Sequence, residues 1–129
     1  MQIDEKLNET LTDILPEDEV FFEVNDGYVN FALKGKHEEL SMLDVEWTCD
    51  DISSIPEVLA DMAEVIENVA KPAIKDEIFV AIKEERYTNL DDVIEDYKSI
   101  NDNADNAIKA LNEKAREIEL SICKDDFVR

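Results

Sequence analysis

The chain has one histidine, His37, and two glycines, Gly27 and Gly35. A single imidazole excludes a zinc site with several His ligands. A Ser-His-Asp triad is not expected either, and the place of His37 beside Glu38 and Glu39 reads as an exposed turn rather than a ligand position. Two isolated glycines exclude a glycine-rich phosphate loop. Cys49 and Cys123 form no CxxC pair. With no signal peptide to be read, they point to a reduced chain in the cytoplasm, and the Asn8-Glu9-Thr10 sequon then reads as chance. No apolar run approaches the ~18 residues of a membrane span. Positive charge is the scarcest resource. Between His37 and Ala70 there is no Lys or Arg, while ten acidic residues occur.

Over 129 residues, 34 Asp and Glu stand against 13 Lys and Arg, a formal net charge of -21. A small domain needs a net charge of only about 2–8 to stay soluble. The excess repels itself and opposes the compact state. DNA, RNA and anionic bilayers are polyanions, so direct binding to any of them is excluded. From Asn112 onward the signs nearly balance, five acids against Lys114, Arg116, Lys124 and Arg129. The negative field is therefore carried by the preceding residues. Length predicts one domain over 1–129: a helix and β-meander over 1–52, a helical part over 53–123 and a tail over 124–129.

Ile3, Leu7, Leu11 and Ile14 or Leu15 recur at helical spacing up to Pro16, which predicts a helix over about 2–14. Asp26-Gly27 is a type I′ hairpin dipeptide between two alternating runs. A two-residue loop pairs Val24 with Val29, Phe22 with Phe31 and Val20 with Leu33, all on one face. Phe21, Glu23, Asn30, Ala32 and Lys34 take the other face. Gly35 turns the chain, and Leu43, Val45 and Trp47 continue the apolar face on a third strand. Asp44 and Glu46 point the opposite way.

Ser54-Ile55-Pro56-Glu57 has the form of a capping box with proline just inside a helix. Val58, Leu59, Met62, Val65, Ile66 and Val69 make its apolar stripe, and Pro72 predicts a break or kink after about Ala70. Residues 74–86 fit a second helix on Ile74, Ile78 and Ile82, or a buried strand. Beyond Asn89, Leu90, Tyr97, Ala104, Leu111 and Ile118 recur every seven residues. Ile94, Asn101, Ile108, Ala115 and Ile122 do so on the adjacent row. One helix over 90–122 would span about 50 Å. The Asn101-Asp102-Asn103 cluster could instead divide it into two. The fold class expected is α+β, with the helices packed on the apolar sheet face.

Chemistry is sparse. Asn101 to Asp105 resembles the opening of a calcium loop, but Asn106 and Asn112 stand where Gly and Glu are required. Asp91, Asp92, Glu95 and Asp96 read as acids at a helix start, favoured by the dipole, rather than as a metal or acid-base site. No enzyme activity, cofactor or metal is expected.

The pattern that remains is the acidic surface. Glu57, Asp61 and Glu64 lie opposite the apolar stripe, about 6 and 4.5 Å apart along the helix axis. One DNA strand places a phosphate every ~3.4 Å of axis, so such a row has a density comparable to nucleic acid. The expected function is a non-enzymatic inhibitor that mimics DNA or RNA. It would occupy the basic site of a nucleic-acid-binding protein of the restriction, CRISPR or repair-nuclease kind, a class of target against which phages make compact acidic inhibitors. The expected contact set is Asp44, Glu46, Asp50, Asp51, Glu57, Asp61, Glu64, Glu67, Asp91, Asp92, Glu95 and Asp96. Phe21 and Tyr28 are candidate rim aromatics. The alternative is a small acidic cytosolic chaperone or immunity-type protein for a cognate effector or toxin, as a dimer. The 90–122 seam offers a homodimer contact in place of an internal one.

Overall fold

The computed structural model describes residues 2–37, 43–47 and 52–128, and side chains within 3–37, 43–47 and 53–121. Helix α1 (Gln2–Ile14) is followed by β1 (Val20–Asn25), β2 (Tyr28–Leu33) and β3 (Leu43–Glu46). A 3₁₀ turn (Ile52–Ser54) leads into α2 (Ile55–Val65), a π turn (Ile66–Ala70) and α3 (Lys71–Lys83). Helix α4 (Leu90–Val128) completes the α+β fold.

The sheet is antiparallel in the order β1-β2-β3. Its hairpin register is the one the turn dipeptide dictates: Val20 opposite Leu33, Phe22 opposite Phe31, Val24 opposite Val29. Gly27 has φ +90, the left-handed region that a type I′ turn needs. Val29 pairs with Val45 and Phe31 with Leu43, so the third strand keeps the apolar face continuous. Trp47, just beyond β3, packs partly buried against the core as expected. Ala32 departs from its outward-facing expectation. It is buried, and Phe21 sits opposite it in register, close enough to shield so small a side chain.

One apolar cluster joins every layer. Ile3, Leu7, Leu11 and Leu15 near α1 meet the inner sheet face, the stripe from Ile55 to Ile78, and α4. The predicted capping box is not realised. Ser54 closes a 3₁₀ turn with helical φ -84 and ψ -9, and its hydroxyl caps nothing. A cap needs extended backbone at that position.

Pro72 does not break the helix. The π turn joins α2 to α3 without a non-helical residue, and the Lys71 N–H reaches back to the Ile66 carbonyl. Widening the turn makes room for a proline ring that would otherwise strike the carbonyl four residues before it. The 74–86 segment is therefore helical, through Lys83.

Helix α4 is single and runs past the expected end, where a tail was anticipated, for about 58 Å. The Asn cluster does not divide it, because two of its side chains are satisfied. Asn101 Nδ2 donates to the Tyr97 carbonyl at 2.7 Å, and Asn103 Nδ2 to the Lys34 carbonyl at 2.6 Å. The seam differs from the heptad reading. Ile100, Ala104, Ala107, Leu111 and Ala115 are buried, whereas Leu90, Ile94 and Tyr97 are exposed. A straight helix drifts from a seven-residue repeat, and α4 packs on both the α2–α3 helix and the sheet layer. Its buried arc is therefore centred on a row that includes Ile100 and Ala107. The middle of the seam is internal and closed to a second chain.

Candidate functional surfaces

Asp44 and Glu46 are exposed on the outer sheet face. Asp44 lies across from Asn30, itself paired with Glu23, and Glu46 lies across from Tyr28. Phe21 and Tyr28 are exposed on this same face. Val45, pointing the other way, packs in the core with the α2 residues. Asp44 and Glu46 thus form a surface separate from the carboxylate row of α2 rather than extending it. Asp50 and Asp51 lie outside the described residues, as do Glu38 and Glu39.

The α2 row is where the spacing placed it. Glu57, Glu64 and Glu67 are exposed and Asp61 is half-buried, opposite the buried Ile55, Val58, Leu59 and Met62. None of the four has an ion-pair partner among the described residues. Exposed carboxylates occur on all four helices, so exposure alone does not single out this row. Its distinction is that α2 with its π turn, 55–70, holds no Lys or Arg. Every other helix has at least one, and the pairs Lys6–Glu9, Lys71–Asp105 and Lys114–Glu117 partly neutralise them.

The acids at the start of α4 do different work. Asp96 is 0% exposed. Its Oδ1 accepts the backbone N–H groups of Lys36 at 2.8 Å and His37 at 3.0 Å, and its Oδ2 accepts the Tyr87 hydroxyl at 2.9 Å. A buried carboxylate needs such donors. Asp96 is therefore removed from the expected contact set.

Its neighbours are engaged as well. His37 Nε2 lies 3.4 Å from Asp92 Oδ1 and 3.5 Å from Glu95 Oε1, and Lys36 Nζ lies 3.3 Å from that same Glu95 oxygen. Asn89 Oδ1 caps the helix by accepting the Asp92 N–H at 2.9 Å, and the Thr88 hydroxyl donates to Asp92 Oδ2 at 3.0 Å. These acids anchor the segment after β2 to α4, and Asp91 stays exposed in the first turn. The sequence did hold a signal: Lys34, Lys36 and His37 are a lone cationic cluster in an acidic half, and require carboxylates nearby.

An apolar surface went unread. Phe79 and Ile82 on α3 are 50% and 41% exposed, and Leu90, Ile94 and Tyr97 on α4 are 70%, 59% and 45% exposed. Among the described residues no group of three or more His, Cys, Asp or Glu is arranged to hold a metal ion. No described helix is long and apolar enough to cross a membrane. The chain matches no family model, no curated protein and no solved structure.

Proposed function

We propose that this chain is a non-enzymatic acidic inhibitor that occupies the basic site of a nucleic-acid-binding protein, as a mimic of DNA or RNA. The observation that carries the reading is the α2 row: Glu57, Asp61, Glu64 and Glu67 lie on one helix face, without ion-pair partners among the described residues and without a cation in their helix. Carboxylates left unneutralised project their field outward. That field steers a cationic partner and raises its on-rate at low salt. The outer sheet face, with Glu23, Asp44, Glu46, Phe21 and Tyr28, supplies a second acidic surface with aromatics for specificity. A target of the restriction, CRISPR or repair-nuclease kind fits this chemistry, and the reading assigns the protein to the cytoplasm, where such targets act.

The test is capture from a cell lysate at low salt, with and without excess duplex DNA. A DNA-binding protein retained only in the absence of DNA is expected. A partner retained equally in both arms would contradict mimicry.

The exposed apolar side chains of α3 and α4 favour a second reading, a small chaperone or immunity-type protein for an effector or toxin. A client held on apolar surface would bind with little dependence on salt.

A further inference from the structure

The hairpin leaves one edge of the sheet open. The Lys34 N–H donates to the Glu19 carbonyl at 2.9 Å, and that bond fixes which residues of β1 face β2. In the register Phe21–Ala32, Glu23–Asn30 and Asn25–Tyr28, the odd-numbered residues of β1 exchange backbone bonds with β2. The backbone groups of Val20, Phe22 and Val24 therefore point away from the sheet. The Pro16 carbonyl accepts the Val20 N–H at 3.0 Å. The N–H and C=O groups of Phe22 and Val24 have no hydrogen-bond partner among the described residues.

Such an edge is a template for another extended chain unless lysine, proline or a bulge guards it. Strand β1 has no lysine and no proline, and its six pairs with β2 run without a bulge. Its single charge is Glu23, exposed on the outer face beside Phe21. Phe22 and Val24 are half-buried on the inner face. At the start of the strand lies a cleft of about 730 Å³, lined by Asn8 and Thr12 of α1, Glu17 and Asp18 of the connection, and Phe21 and Phe22. The space between α1 and the start of β1 is thus open to an added chain.

The charges around this edge are unequal. Glu5, Glu17, Asp18 and Glu23 are exposed there, Glu5 sharing the helix side of Asn8 and Thr12. Among the described residues Lys34 is the one cation lining the cleft, and its Nζ donates to the Glu17 carbonyl at 3.3 Å. Lys6 is turned about 160° around α1 from Asn8, and it pairs with Glu9. A second copy would bring a like-charged edge against this one. A strand with cations on the face beside Glu23 and apolar residues on the face beside Phe22 and Val24 suits both faces, since cross-strand neighbours interact directly.

We propose that the open edge of β1 takes up an extended basic segment of the partner as a fourth strand, with cationic and apolar side chains in alternation. Backbone bonds to Phe22 and Val24 hold the segment, and Glu23 pairs with a cation on it. The inference deepens the function proposed above and rests on that reading for a cationic partner. It adds a backbone contact that mimicry of a phosphate row does not contain.

The probe is a peptide of about nine residues, alternating lysine and valine, long enough to span the six of β1. It is mixed with the full chain at low salt, and amide hydrogen exchange is followed by NMR. Saturable binding at or below ~100 μM is expected. Exchange at Phe22 and Val24 should slow at least about tenfold, while Phe21 and Glu23, already bonded to β2, should change little. The same peptide N-methylated throughout keeps its charge but has no backbone donor, and should bind at least about tenfold more weakly. Glu23→Lys should weaken binding several-fold with an unchanged circular-dichroism signal, since Glu23 is exposed.

Unchanged exchange at Phe22 and Val24 under saturating peptide would overturn the strand addition. So would equal affinity for the methylated peptide, or no binding at ~1 mM. These outcomes are separate from DNA competition for the captured partner. A partner released by DNA, with Phe22 and Val24 unprotected in its complex, would reject the added strand and retain mimicry. Protection of both amides by a partner that DNA does not displace would do the reverse.

Discussion

The Asp96 carboxylate occupies the space that a side chain on Gly35 would need. A Cβ at Gly35 would lie 2.8 Å from Asp96 Oδ1 and 3.0 Å from Ile100 Cγ1. The closeness of backbone and carboxylate lets one oxygen accept the N–H groups of both Lys36 and His37. Glycine stands there for want of space.

Breaking this contact from either side should destabilise the fold. Gly35→Ala is expected to cost about 2 kcal/mol through overpacking. Asp96→Ala should cost about 3 kcal/mol, because three donors lose a charged acceptor. Asp96→Asn should cost much less than Asp96→Ala, since its amide oxygen still accepts the two backbone N–H groups. Urea unfolding of the three variants checks the order, and a neutral Asp96→Ala would contradict it.

The end of α3 offers a stabilising substitution. The Arg86 N–H donates to the Ala81 carbonyl and the Glu85 N–H to the Ile82 carbonyl, both at 3.0 Å, with Glu85 at φ 58. That is a Schellman closure in which glycine would be unstrained. Glu85→Gly should therefore raise stability by about 1 kcal/mol. Denaturant melts of the two chains check this. A loss of stability would mean that the Glu85 side chain contributes more than its backbone strain costs.

Two asparagines two residues apart, on opposite sides of α4, should behave differently. Asn103 ties α4 to the Lys34 carbonyl across the fold, while Asn101 bonds only within its own helix, to Tyr97. Asn103→Ala is expected to cost about 1 kcal/mol and Asn101→Ala close to nothing. Asn101→Ile should leave stability nearly unchanged, since the side chain bonds only within its own helix. Equal losses at the two alanine substitutions would contradict this division.

These residues also mark how far the sequence can be read. The hairpin register was legible because a turn dipeptide and strict alternation give the same answer, and a slip by one residue would expose Val29 and Phe31. The face of α4 was legible only in part. Two heptad rows identified the helix, but which row is central depends on the two layers packed against it. The continuity of α2 through Pro72 rests on a single π turn, for which the residues carry no signature. The candidate site divides in the same manner. The α2 row follows from helical spacing alone. Asp96 was hidden because one buried acid among many looks like its neighbours, and two of its three donors named above are backbone groups about sixty residues away.

The contact with a basic partner should respond to salt. Raising salt from about 50 to about 500 mM should weaken the complex by at least tenfold, because the attraction is screened. Calorimetric titrations at the two salt concentrations check this. An affinity that stays constant over that range would contradict the electrostatic reading.

The most direct measurement is the affinity of the captured partner for the chain with Glu57→Lys, Asp61→Lys and Glu64→Lys combined, compared with wild type at low salt. The account predicts a loss of about a hundredfold or more, with thermal stability equal or higher because self-repulsion falls. A folded triple variant that binds as tightly as wild type would contradict it.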